Sequence, residues 1–410
     1  MKRRIACLLI CVCLLLCMAL PAGAQDEGAA FTDRGSIRNV GAVQMLVDLG
    51  LISGYDDGTF RPGNFITREE VAKLVAILCT ENPQTPADVY FYDAQNSWAL
   101  DYIGYCAGQG IIAGDGMGSF RPKDNVTAQE LAKMLLVILG QDPETYSGAG
   151  WDERVNADAQ SFGIYYGLTA QVNQPVTRDN ACLLIYNAMR CPAIADPDAE
   201  GLERYVLDDL MNPRSYLEVR YDLTRYTAVL TGNEYADLTS NDGKLPAGMT
   251  KLAGHKEFDV SSDLSLLGRE VDIYVKDGRV FGIPCYVTSE LYYTFENAQA
   301  LSKLLSGGAF SMADDAQYYY NYNEAGAEVL SRSGTRLTVI DHDSDMQFDT
   351  VLAVGCQEAE VVSVSPLRVR VGQDVLDAEK YCMSDVFSEG DAVWYMEIAG
   401  QGFAQPMSAK

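Results

Sequence analysis

Residues 54–79 read GYDDGTFRPGNFITREEVAKLVAILC, and residues 114–139 read GDGMGSFRPKDNVTAQELAKMLLVIL. The two strings lie 60 positions apart. Extended to Phe31–Thr80 against Phe91–Gly140, the alignment needs no gap and holds 13 identities in 50 positions. The matches cluster. Phe31 and Asp33 pair with Phe91 and Asp93. Gly50, Ile52 and Gly54 pair with Gly110, Ile112 and Gly114, and Gly58 to Pro62 with Gly118 to Pro122. A repeat of fixed period is the signature of stacked supersecondary units, so it decides the architecture of the N-terminal half.

Each copy reads as helix, Gly-rich loop, helix. Thr67 stands three residues before Glu70, and Thr127 three before Glu130. This is the spacing of a capping box, in which the hydroxyl and the carboxylate each take an orphan N–H. Ile66 with Val71, and Val126 with Leu131, are placed as hydrophobic staples. The stripe Val71, Leu74, Val75, Leu78, matched by Leu131, Met134, Leu135, Ile138, lies on one face of a helix. In the loop, Asp57-Gly58 supplies a positive φ and Pro62 delays helix entry. A weaker third copy follows. Trp151 stands for Trp98, Gly167 for Gly110, and Val176-Thr177-Arg178 starts the helix, continued by Ala181, Leu184, Ile185 and Ala188. It lacks the long loop, and Asn180 replaces the capping Glu. One amphipathic helix cannot bury its stripe alone, but three can bury theirs against each other.

With its F-x-D start, G-[LI]-I-x-G, D-G-T-F-R-P and I-T-R-E-E, the chain resembles the S-layer homology (SLH) family over about residues 31–192. The resemblance implies a pseudo-threefold all-α unit with the second helices at its centre. It also implies grooves between copies that bind secondary cell-wall polysaccharide carrying pyruvate ketals. Arg68 matches the arginine of the family's helix-start motif, and Arg178 is its counterpart in copy three. A guanidinium beside a helix N-terminus suits a carboxylate. Ala128 takes that position in copy two, where Arg121 or Lys123 would have to substitute. Arg61 and Trp98 complete the candidate polysaccharide contacts. Arg61 and Arg121 read equally well as surface arginines packed on their own loops.

The remaining features bound the class. Lys2, Arg3 and Arg4, the apolar run Ile5–Leu20 and a small-residue site ending at Ala24 read as a secretory signal peptide, residues 1–24. No membrane association is expected after its cleavage. Seven cysteines remain at wide spacing with no C-x-x-C pair, and they read as small buried apolar groups. With 31 Lys+Arg against 57 Asp+Glu the formal net charge is −26, which excludes a generic nucleic-acid binder. Only His255 and His342 occur, so a multi-His metal site is excluded.

After a linker and short helix at 193–211, the pattern changes to period two. Strands are expected at Glu218–Leu230, Glu270–Val275, Arg279–Ile283, Arg336–Ile340, Thr350–Val354, Glu360–Val364, Leu367–Val371 and Ala392–Ile398. The expected fold class is α+β multidomain. SLH copies at 31–85, 90–143 and 150–192 precede β-rich barrel or sandwich modules at 212–288 and 314–410, joined by a helical connector at 289–313. Asp341, Asp343, Asp345 and Asp349 have the 1, 3, 5, 9 spacing of a calcium loop. Met346 stands where such loops carry Gly, and the competing reading is a solvated acidic hairpin with His342 exposed in it. Tyr318, Tyr319, Tyr320 and Tyr322 read as packing residues or a sugar-stacking face. No G-x-S-x-G, H-E-x-x-H or P-loop string occurs. The resulting expectation is a secreted wall-anchored protein with polysaccharide as partner, no nucleic-acid partner, no cofactor beyond the open question of calcium, and no enzyme activity. Its alternatives are a wall-anchored hydrolase with a site in the C-terminal half and an S-layer lattice subunit.

Overall fold

The computed structural model describes residues 31–84, 90–287 and 290–407; the expected signal peptide lies outside them. Among the described residues, six helices build the N-terminal part: α1 Val40–Asp48, α2 Arg68–Cys79, α3 Leu100–Gly108, α4 Ala128–Ile138, α5 Trp151–Ser161 and α6 Arg178–Met189. They form three helix–loop–helix units. Helices α2, α4 and α6 start after Thr67, Thr127 and Thr177, and each hydroxyl accepts the amide three residues on. The Glu70 and Glu130 carboxylates return to the Thr67 and Thr127 amides at 2.8 and 2.9 Å. At α6 only the first of the two bonds forms, because Asn180 stands in the Glu position.

The three units close on one another through a cycle of backbone bonds. The Ile66 amide donates to the Val176 carbonyl (3.2 Å), the Val176 amide to Val126 (2.8 Å), and the Val126 amide to Ile66 (3.1 Å). All three side chains are buried. Such a cycle requires the three loops to meet around a common axis. Helix starts leave N–H groups without intrahelical partners, and buried ones must be satisfied elsewhere. Here the next unit supplies the acceptors. Arg68 and Glu69 donate to Asp124 and Pro122, Ala128 and Gln129 to Gln174 and Val172, and Arg178 and Asp179 to Asn64 and Pro62.

The repeated loop motifs have direct roles. The Asp33 carboxylate accepts the Phe60 and Arg61 amides at 2.8 Å each, and Asp93 does the same for Phe120 and Arg121. This clamp holds Arg61 and Arg121 at φ 55° and 59°, a left-handed conformation that non-glycine residues adopt at a cost. At Gly54 and Gly114 a Cβ would meet the Phe31 and Phe91 rings at 2.6 Å, so the ring of F-x-D explains the second Gly of G-[LI]-I-x-G.

The described residues of the C-terminal part hold three sheets. The first is ordered β3-β2-β1-β4-β5, from β1 Thr224–Gly232, β2 Met249–Leu252, β3 Glu257–Asp259, β4 Glu270–Lys276 and β5 Arg279–Tyr286. The second is ordered β6-β9-β10-β7-β8, from β6 Leu291–Phe295, β7 Ser311–Tyr320, β8 Asn323–Ala325, β9 Thr335–Asp341 and β10 Gln347–Gly355. The third is ordered β13-β12-β11-β15-β16-β14, from β11 Gln357–Val364, β12 Leu367–Val371, β13 Asp374–Asp377, β14 Glu379–Lys380, β15 Ala392–Ile398 and β16 Gln401–Pro406. The α+β class holds, with three sheets where two modules were expected. The connector region contains a helix, Ala298–Ser306, and also strand β6.

Two local expectations change. Glu218–Tyr221 is not strand but part of helix α7 Tyr216–Tyr221, because Ser215 and Glu218 close a capping box that stops extended pairing. The 193–211 stretch is not a free linker: Ile194 bridges Tyr205 and Leu207 bridges Pro213, and its helix is one 3₁₀ turn, Gly201–Arg204. The helical part docks on the first sheet. Asp48 accepts the Gly282 amide at 2.8 Å, Arg190 pairs with Asp272 at 3.2 Å, and the Tyr186 hydroxyl meets Cys285 Sγ at 2.9 Å. All seven described cysteines are free; Cys106, Cys182 and Cys191 are buried and the other four half-buried.

Candidate functional site

The loop-to-helix bonds put Arg68 at the boundary between units one and two. It is 6% exposed. Its Nε donates to the Phe120 carbonyl at 2.8 Å, its Nη2 to the Ala113 carbonyl at 3.1 Å, and its Nη1 lies 3.4 Å from Glu130. The guanidinium covers the Phe120 ring at 4.6 Å. Arg178 repeats the arrangement one unit round. Its Nε donates to Phe60 at 3.1 Å and its Nη2 to Ser53 at 3.0 Å, over the Phe60 and Tyr55 rings. The picture of an arginine beside free helix N–H groups is therefore corrected. The N1 and N2 amides are taken by backbone carbonyls of the next unit. Ala128, the third residue of the set, faces the unit with the shortened loop, which has no matching Phe-Arg-Pro turn to receive a guanidinium.

A groove of about 410 Å³ opens over Arg68. Arg121, Glu130, Lys133, Tyr146 and Trp151 join Arg68 in its wall. Arg121 is half-exposed and lies 3.4 Å from Asp124. Lys133 Nζ donates to the Tyr146 carbonyl at 2.7 Å and sits 5.7 Å from the Trp151 ring centre. Burial pulls the Arg68 and Lys133 pKa values below their ordinary values. Three cations and an indole thus converge in one groove of an acidic chain. Lys133 and Tyr146 were not among the sequence candidates. The signal for Lys133 was present, since Lys73 and Lys133 are one of the repeat's identities.

The other candidates sit elsewhere. Arg61 pairs with Asp57 at 2.7 Å and lies over the Tyr55 ring. Lys123 pairs with Glu69, which also accepts from the Trp98 indole N–H and the Ser97 hydroxyl, both at 2.7 Å. Burial raises the Glu69 carboxyl, but these three donors more than offset it and leave it below its usual range. The Trp98 side chain remains 55% exposed, so its ring is open to solvent.

In the C-terminal half, His342 is not an exposed loop residue. Its Nδ1 lies 2.9 Å from Glu290 and its Nε2 3.2 Å from the Thr350 hydroxyl. Tyr318 and Tyr320 pack in the core of the second sheet, and the buried Tyr322 meets Tyr381 at 2.5 Å. Of the four aspartates, Asp341, Asp343 and Asp345 come together, whereas Asp349 accepts the His342 amide at 2.8 Å. A cavity of about 450 Å³ lies where helices and sheets meet. Asp263 and Asp385 line it, and burial pushes their carboxyls up to about 6 and about 7. Among the described residues no helix is long and apolar enough to cross a membrane.

Comparison with known proteins adds to this geometry. The S-layer homology domain matches residues 30–72 and 90–132, two tandem repeats. An uncharacterized cell wall amidase of Bacillus anthracis is 36% identical over 123 residues, 30% of this chain and 22% of that protein. S-layer protein EA1 of Bacillus anthracis is 32% identical over 96 residues, 23% of this chain and 11% of its own length. The middle cell wall protein of Brevibacillus brevis is 26% identical over 261 residues, 58% of this chain and 24% of its own. The chain thus spans less than a quarter of the first two relatives and about a quarter of the third. These matches group it with extracellular proteins of the cell wall and S-layer. They also correct one expectation: with a cell wall amidase among the similar proteins, the exclusion of enzyme activity does not stand.

Proposed function

We propose that the chain is held non-covalently at the bacterial surface by its helical part, which binds an anionic, pyruvylated secondary cell-wall polysaccharide. The third helix–loop–helix unit is read as a degenerate SLH copy, and the β sheets as a structural or interaction region. The observation that carries this reading is the groove over Arg68. Arg121 and Lys133 offer cations to a ketal carboxylate, Trp151 offers a stacking face for a sugar ring, and Arg68 fixes the floor. The closing of the three units by the backbone cycle supports reading all three as copies.

A charge-assisted hydrogen bond contributes about 1.5–3 kcal/mol, so one groove binds weakly. A polymer that presents many ketals to several grooves gains by effective concentration. The test is co-sedimentation of the purified chain with wall sacculi. An Arg121→Ala/Lys133→Ala double variant with an unchanged melting curve should remain in the supernatant. Wild-type retention of that folded variant would remove the groove from the mechanism.

A further inference from the structure

We propose that the hairpin between β9 and β10 is a calcium site built on Asp341, Asp343 and Asp345. One carboxylate oxygen from each of the three lies within 4.8 Å of the others. Proximity of acidic groups alone carries little weight. The deciding observation is Asp341, which is fully buried. Its Oδ2 accepts the Met346 amide at 3.0 Å, but its Oδ1 is buried with no hydrogen-bond partner among the described residues. Buried polar atoms are overwhelmingly paired, and a charged one without a partner is strongly unfavourable. A cation held among the three carboxylates supplies the missing partner and relieves their mutual repulsion.

The donor set selects a hard cation, because all three side chains offer oxygen. The nearby His342 nitrogens are engaged by Glu290 and Thr350. Asp343 and Asp345 are exposed, so water can complete the shell. Calcium takes about six to eight oxygens in irregular geometry, whereas magnesium demands a near-ideal octahedron and is held less well by a curled loop. The absence of Gly from the loop is no obstacle. Ser344 and Met346 themselves adopt φ 62° and 70°, which turns the chain around Asp341. Asp349 braces the loop through the His342 amide rather than acting as a ligand. Without a bidentate Glu the affinity belongs to the range of extracellular modules, roughly 10⁻⁴–10⁻³ M.

The site ties together the ends of β9 and β10, two adjacent inner strands of the second sheet, so occupancy should raise the melting temperature. The purified chain is stripped with EDTA and titrated with calcium chloride by calorimetry, with magnesium chloride in parallel and thermal melts at each step. A saturable calcium isotherm with a rise in melting temperature, and a smaller magnesium effect, is expected. Asp341→Asn probes the buried ligand. Asp343→Asn/Asp345→Asn alters only exposed positions and guards against a folding defect. Each should weaken calcium binding by about tenfold or more, since affinity follows ligand charge count. No saturable calcium isotherm, or wild-type affinity in the folded Asp343→Asn/Asp345→Asn variant, would overturn the proposal. The latter outcome would place any bound calcium elsewhere.

Discussion

The guanidinium of Arg68 lies 4.6 Å over the ring of Phe120 while its Nε donates to the carbonyl of the same residue at 2.8 Å. Arg178 and Phe60 stand in the same relation one unit away. The two arginines lock the helix of one unit into the loop of the next. Arg68→Ala leaves the Phe120 and Ala113 carbonyls without a donor and a void beside the ring. The expected loss is about 2–4 kcal/mol in chemical denaturation. Arg68→Lys should recover only part of it, because one ammonium nitrogen lacks the separated Nε and Nη2 donors and the plane that covers the Phe120 ring. A change below about 0.5 kcal/mol for Arg68→Ala would show that the lock is immaterial.

The capping boxes predict a graded series. Thr67→Ala and Thr127→Ala should each cost about 1 kcal/mol, since each hydroxyl both accepts the amide three residues on and donates to the Glu carboxylate, and both of these bonds are lost. Thr177→Ala should cost less, because α6 has only one of the two bonds. Equal losses at all three sites would contradict the role given to Glu70 and Glu130.

Much of the helical part is readable in the sequence because its determinants are local. A Thr three residues before a Glu, followed by a 3.6-period stripe, needs no tertiary knowledge. What the sequence hides is where the ends of those elements go. Arg68 reads as a residue at an open helix start, because nothing in its neighbourhood says that Asp124 and Pro122 will take the amides beside it. Lys133 lies on the polar side of its stripe and becomes a groove residue only when the third unit brings Trp151 against it. The same holds in the β half. Asp341 and Asp349 look equivalent by spacing, yet one is buried at a strand end and the other is spent on the His342 amide. The Ser215–Glu218 box was legible by the rule that found Thr67, but Val219, Tyr221 and Thr224 after it favour a strand and mask it.

The cavity between helices and sheets predicts a pH dependence of stability. Burial raises the carboxyls of Asp263 and Asp385 from the ordinary 3.8 to about 6 and about 7, and the charge of Asp263 adds to the rise at Asp385. The folded state therefore binds protons that the unfolded chain releases. The stability this gives is full below about pH 4 and is lost as pH rises through about 6 to 7. The melting temperature should fall between about pH 4 and about pH 7, and an Asp263→Asn/Asp385→Asn variant should flatten that fall. A variant with an unchanged pH profile would show that neither group is shifted.

Net charge sets a further expectation. A chain at −26 repels an anionic polymer at long range, so attraction must be local to the groove. Sacculus binding at about 0.3 M salt should match or exceed that at about 0.05 M. A steep fall with salt would indicate that long-range attraction carries the binding.

The most direct test compares sacculi before and after chemical removal of pyruvate, with the full chain at fixed salt. The chain should co-sediment with untreated sacculi and stay in solution with the stripped ones. Equal binding to both would contradict recognition of a ketal carboxylate.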